Sequence, residues 1–186
     1  AYSNTFGSSK FFDELALDEV LRLRTLNDEL FSLDPLVGNC FSVAVLSSLI
    51  PTSRLKRAGD LRYRTPKELT AGLPFPVDLV SNRLTTQAAD LSHSAILTAD
   101  ARFVCATAGT MHEHLDDGWH GVITSPPYLN GTNYIRNARM ELWYLRHLQE
   151  NADLRRLRDK VITSGINDVH SQTRWNPVTS GVESVM

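Results

Sequence analysis

Gly121-Val122-Ile123-Thr124-Ser125-Pro126-Pro127-Tyr128 is the stretch whose reading decides the fold. Three apolar or small residues run into Thr124, and two prolines then stop any ladder, because proline cannot donate to one. The run predicts a buried strand ending at Thr124 and a rigid loop beyond it. Upstream, Arg102-Phe103-Val104-Cys105-Ala106 reads as a second buried strand, and Gly109 to Leu115 as a short helix. Asp116-Asp117-Gly118 is a turn signal. Downstream, Asn137 to Leu148 places Met140, Leu142, Trp143, Leu145 and Leu148 on a broad apolar helix surface, with Trp143 and Tyr144 expected in the core. Asn151 to Val161 continues as a charged helix. Strand, helix, strand, loop, helix predicts an α/β class with a parallel sheet.

The first half has helical period instead. Phe12, Leu15, Val20, Leu23, Leu26 and Leu30 recur three to five apart. Asp34-Pro35 restarts the chain with proline in a first helical turn. Phe41, Val45, Leu46 and Leu49 follow on one face, and the small residues Ser42, Ala44, Ser47 and Ser48 allow close packing. Val77 to Leu91 is expected as a third helix. Between them, residues 52–76 hold charges, glycine and three prolines, and read as a long exposed loop. The loop is basic: Arg54, Lys56, Arg57, Arg62, Arg64 and Lys67 stand against Asp60. Either these cations are solvated or they meet phosphates. The resulting division is a helical segment over 1–98, an α/β part over 99–165 and a polar tail over 166–186.

Composition narrows the class. A chain of 186 residues with net charge −2 has room for one real core, and any contact with nucleic acid must come from a local patch. No apolar run approaches the roughly 18 residues that span a bilayer. Ala1 to Lys10 has no apolar core of a signal peptide, so the compartment expected is the cytoplasm. Cys40 and Cys105 are read as buried thiols. No Cys/His group has zinc spacing, and no metal is expected. His112 and His114 flank Glu113 and fall on different sides of a helix, which reads as a solvated helix end. Asn130 and Asn133 are assigned to turn hydrogen bonds.

The loop carries the chemistry. In open α/β sheets ligands bind beyond the carboxyl ends of strands. Consecutive prolines leave the carbonyls of Ser125 and Pro126 as rigid acceptors, and the Tyr128 ring follows at once. Acceptors beside a flat ring suit an exocyclic amino group on a planar base. Thr124-Ser125-Pro126-Pro127-Tyr128 resembles the hallmark loop of S-adenosylmethionine-dependent amino-methyltransferases, and its form looks most like the cytosine-N4 DNA methyltransferases of restriction–modification systems. Gly121-Val122-Ile123 is similar to the strand leading into that loop. The basic stretch Lys56 to Arg64, Gly131-Thr132-Asn133-Tyr134 and Glu141-Leu142-Trp143 are also similar to segments of one such family. The likeness spans residues 12–150.

That resemblance implies a partial Rossmann-like methyltransferase sheet with an N-terminal helical segment. It implies base flipping from DNA, stacking on Tyr128, and amino hydrogens held by Ser125 and Pro126. Arg54, Lys56, Arg57, Arg62 and Arg64 are the expected DNA contacts. The implied cofactor is S-adenosyl-L-methionine, yet the family's glycine-rich cofactor turn is missing, and Thr107 and its neighbours supply no acidic cofactor contact. Cofactor-binding residues are therefore unassigned. The chain is expected to be a fragment, or half of a split enzyme whose second chain or upstream segment carries the turn. Adenine-N6 transfer, or a non-catalytic DNA-binding or scaffold subunit, are the alternatives. Serine rather than aspartate before Pro-Pro favours cytosine.

Overall fold

The computed structural model describes residues 2–93, 102–106, 110–115, 120–121, 123–125 and 134–158. The element order is α1 (Tyr2–Phe6), α2 (Glu14–Leu33), α3 (Pro35–Leu49), β1 (Leu55–Ala58), β2 (Asp60–Tyr63), α4 (Pro66–Leu69), α5 (Pro76–His93), α6 (Tyr134–Tyr144) and α7 (Asn151–Arg158), with a 3-10 turn at Met111–Glu113. The protein is thus mainly helical, and the sheet among the described residues is a two-stranded antiparallel hairpin.

α2 and α3 form a helical hairpin around one residue. Asp34 ends α2 by donating its N–H to the Leu30 carbonyl, and starts α3 by accepting from the N–H groups of Leu36 (2.8 Å) and Val37 (3.3 Å). Those first-turn donors have no partner within the helix, so the aspartate removes an exposed deficit. The helices then close at Gly38, where an added Cβ would stand 2.5 Å from the Phe31 Cα. Farther along, Ser42 Oγ donates to Asn27 Oδ1 at 2.8 Å. The expected close packing of α3 is present, with its tightest point at Gly38 rather than at the serines. α5 packs on α3 and α2 through Val80, while the half beyond Leu84 is largely exposed.

The basic stretch 52–76 is not a long exposed loop: it holds β1, β2 and α4. Lys56 pairs with Arg62 and Arg57 with Leu61, and the turn is closed by Gly59 at φ +76°. Pleating puts Leu55 and Leu61 inward, both fully buried, and Lys56 and Arg62 together on the other face. Like charges directly opposite are destabilising. Glu68 on α4 answers both: its carboxylate accepts from Lys56 Nζ at 2.8 Å and from Arg62 at 2.8 and 3.0 Å. The same residue closes a capping box with Thr65. Hydrogen bonds from Arg62, then Lys56 and the Thr65 N–H, hold the Glu68 carboxyl well below the usual carboxylate range.

A depressed carboxyl contributes stability above its unfolded-state pKa, and that contribution drains away as pH falls through the folded-state value. Glu68→Gln is therefore expected to lower Tm at pH 7 and to flatten the acid limb of the Tm–pH curve. Equal melting of variant and parent at pH 7 would show that the bridge is idle.

The core gathers Phe6, Phe11 and Phe12 with Val20 and Leu23 of α2, Val45 and Leu49 of α3, and Met140, Trp143, Tyr144 and Leu148 of the α6 region. Tyr2 ties the N-terminal turn to it, donating to the Ser9 carbonyl and accepting from the Phe11 N–H, both at 3.0 Å. Trp143 and Tyr144 lie in the core as expected.

Among the described residues, the two expected strands are not formed. Residues 102–106, 121 and 123–124 carry no ladder; Phe103 is 90% exposed and Ile123 fully so. A strand needs a neighbour to take its N–H and C=O groups, and no described residue offers one. Cys40 and Cys105, expected buried, are both exposed: Cys40 falls on the outer side of α3 and Cys105 on the unpaired stretch. Among the described residues no helix is long and apolar enough to cross a membrane.

Candidate functional site

Thr124 and Ser125 lie on an exposed, irregular stretch, open to a ligand. Pro126, Pro127 and Tyr128 fall outside the described residues, as do Asn130, Asn133 and the turn at 116–118. What the structure does describe is the element that follows the loop. α6 begins at Tyr134, six residues past Tyr128 in sequence, and two neighbours fix it.

One neighbour is the hairpin. Asn137 Oδ1 accepts from the Leu61 N–H at 2.7 Å, and its Nδ2 donates to Asp60 Oδ1 at 3.1 Å. Leu61 sits on an edge strand, whose outward N–H would otherwise need water. One turn on, Glu141 Oε1 accepts from Arg57 at 2.5 Å. Asn137 and Glu141 are four apart, hence on one face of α6. The other neighbour is the core, reached by Met140, Trp143 and Tyr144. The Trp143 ring meets Tyr2 at 5.3 Å and Phe6 at 6.0 Å, and Arg139 covers the Phe11 ring at 4.4 Å. The Tyr144 hydroxyl donates to the Leu23 carbonyl at 3.4 Å, and burial raises its pKa.

Of the five cations expected to meet DNA, three already face carboxylates: Lys56 and Arg62 on Glu68, and Arg57 on Glu141. Arg64 Nε donates to the Ser53 carbonyl at 3.2 Å. Arg54 lines a cavity of about 570 Å³ with Tyr2, Phe12 and Lys10, and its N–H donates to the Phe11 carbonyl at 2.7 Å. The hairpin brings the five together, but largely as a brace. Its pairs remain partly exposed, where solvent screens them, so exchange for phosphate carries little penalty.

Asn137 and Glu68 were not singled out from sequence, and Glu141 entered only as part of the Glu141-Leu142-Trp143 likeness. The signal available was Asn137 and Glu141 at i and i+4 on a helix whose other positions are apolar or cationic. His112, Glu113 and His114 are exposed on the 3-10 turn, and no group of metal-ligating residues occurs among the described residues. The described residues do not fit a methyl-donor site of the glycine-rich kind. Their left-handed glycines, Gly7, Gly59 and Gly72, each stand alone in separate turns. Comparison of the chain with family models, with curated proteins and with solved structures finds no match.

Proposed function

We propose that this chain supplies the base-holding part of an S-adenosylmethionine-dependent DNA methyltransferase acting on an exocyclic amino group, cytosine N4 in first place. The observation that carries this reading is the Thr124-Ser125-Pro126-Pro127-Tyr128 sequence leading into a helix clamped on two sides. Orientation of a reacting group contributes roughly 7–11 kcal/mol in favourable cases, and it requires a rigid base. α6 is such a base, held by the core and by the hairpin.

In this reading the chain's own residues hold the nucleophile. The carbonyls of Ser125 and Pro126 accept the amino hydrogens of the flipped base, and the Tyr128 ring stacks on its face. The partial Rossmann-like sheet of the family and the methyl-donor site would come from a segment or second chain bearing the glycine-rich turn, because no described residue builds one.

The test is reconstitution. Incubated alone with DNA and S-adenosylmethionine, the chain is expected to transfer no methyl group. Co-expressed with a chain carrying the glycine-rich turn, it is expected to yield N4-methylcytosine on digestion and mass analysis of the DNA. Tyr128→Ala should remove a stacking contact of about 1–3 kcal/mol, while Tyr128→Phe keeps the π-face and much of the rate. N6-methyladenine without N4-methylcytosine would overturn the choice of base. Turnover by the isolated chain would overturn the division of labour. A silent reconstituted pair that still binds DNA would favour the non-catalytic subunit.

A further inference from the structure

A second polar site lies at the far end of α6, where that helix meets α2. A cavity of about 480 Å³ opens there, lined by Arg24, Arg146, Trp143, Asn4, Thr25 and Gln149. Arg24 lies over the Trp143 ring, its guanidinium carbon 5.3 Å from the centroid. Its Nε is buried without a hydrogen-bond partner, and no described carboxylate forms a salt bridge with it. The nearest candidate, Asp28, is committed elsewhere: both its oxygens accept from the two terminal nitrogens of Arg146. Arg146 itself stands at φ +63°, a left-handed conformation that an L residue rarely adopts and that the Asp28 fork helps to hold.

The cavity wall therefore presents two guanidinium groups against one carboxylate. Burial first, and then the neighbouring Arg146 charge, lower the pKa of Arg24. A partly desolvated cation with a like charge beside it is relieved by an anion. Planar guanidinium forks match the oxygens of phosphate in two-point contacts, and the side-chain amides of Asn4 and Gln149 offer neutral donors around them; the Thr25 hydroxyl is already donated to the Leu21 carbonyl. We propose that this cavity is a phosphate-binding subsite, with Arg24 as the charge that draws the anion and Arg146, oriented by Asp28, as the second fork. The proposal does not depend on the base-holding reading: its ligand is a phosphate group, carried either by a free phosphate compound or by a nucleic-acid backbone.

Trp143 provides the readout, because its buried indole N–H has no partner among the described residues. The chain has three tryptophans, Trp119, Trp143 and Trp175, so Trp119→Phe and Trp175→Phe spectra assign the Trp143 indole resonance in the 15N-labelled full chain. Inorganic phosphate, titrated at constant ionic strength, is expected to shift that resonance saturably. Arg24→Gln should weaken the response by about tenfold, and Arg24→Lys, which keeps the charge and loses the fork, should fall between. Circular dichroism and the remaining spectrum report whether each variant is folded, and the Arg24→Lys series keeps the comparison intact if Arg24→Gln is not.

Absence of a saturable shift in the parent chain would overturn the subsite. A shift undiminished in both Arg24 variants would overturn the role of Arg24. A second arm uses a 20-base-pair duplex. Movement of the same resonance, with a salt slope reduced by about 1 in the Arg24 variants, identifies the source as a nucleic-acid backbone. Response to phosphate alone identifies a free phosphate compound.

Discussion

Trp143→Ala is expected to cost about 3–5 kcal/mol of stability, the range for emptying a buried aromatic site. Trp143 is 1% exposed and stands where α1, α2 and α6 meet. Its ring takes an edge contact from Tyr2 and a tilted one from Phe6, and the Arg24 guanidinium lies on it. These neighbours come from two other elements, α1 and α2, so the site cannot collapse by moving one side chain. A loss of that size is a large share of the whole for a single domain. Urea unfolding of the full chain checks it through the midpoint. A Trp143→Phe variant, which keeps a ring, should lose far less. A midpoint for Trp143→Ala within experimental scatter of the parent would place the tryptophan outside the cooperative core.

The second large effect concerns Gly38. On propensity alone, Gly38→Ala should stabilise α3 by about 1 kcal/mol, since alanine is the better helix former. The structure reverses the sign. The new methyl would meet the Phe31 Cα at 2.5 Å and its backbone nitrogen at 2.8 Å, and backbone cannot rotate away as a side-chain end can. The helices must separate, which breaks the Ser42–Asn27 hydrogen bond one turn along and opens the packing beyond it. Overpacking of this kind costs about 1–3 kcal/mol, so net destabilisation is expected, with Gly38→Val worse than Gly38→Ala. A more stable Gly38→Ala protein would show that the hairpin spreads without penalty.

The long helices were legible because one physical signal covers them. Val20 and Leu23 in α2, Phe41, Val45 and Leu49 in α3, and Met140 and Trp143 in α6 recur with helical period and are buried where that period puts them. Asp34-Pro35 marked a boundary that local chemistry alone determines. The hairpin was not legible. Leu55 and Leu61 are its only buried residues, and the cations between them imitate a solvated loop. Lys56 and Arg62 tolerate each other because Glu68 sits between them, and the Leu61 N–H is satisfied by Asn137 from far along the chain. No local pattern announces either contact. At Arg102–Ala106 and Gly121–Thr124 the error ran the other way. An apolar run signals a demand for burial and carries no information on whether a partner strand exists to meet it. For the candidate site, Thr124 and Ser125 are exposed, the remaining loop lies outside the described residues, and the contacts that hold α6 are visible only in the tertiary structure.

The brace has a consequence for how this region can change over generations. Residues 94–133 join α5 to α6 in sequence, and both helices belong to one packed body through the α3–α5 and α6–β2 contacts. The entropy of closing such a loop grows only logarithmically, about 0.6 kcal/mol for each doubling of length. Insertions, deletions and new sequence between those points therefore weigh little on folding so long as Asn137, Glu141 and Trp143 keep their seats. The sequence around Thr124 to Tyr128 can therefore change in length and composition with little effect on the packed body, a separation of heritable variation from structural integrity built into the chain's connectivity.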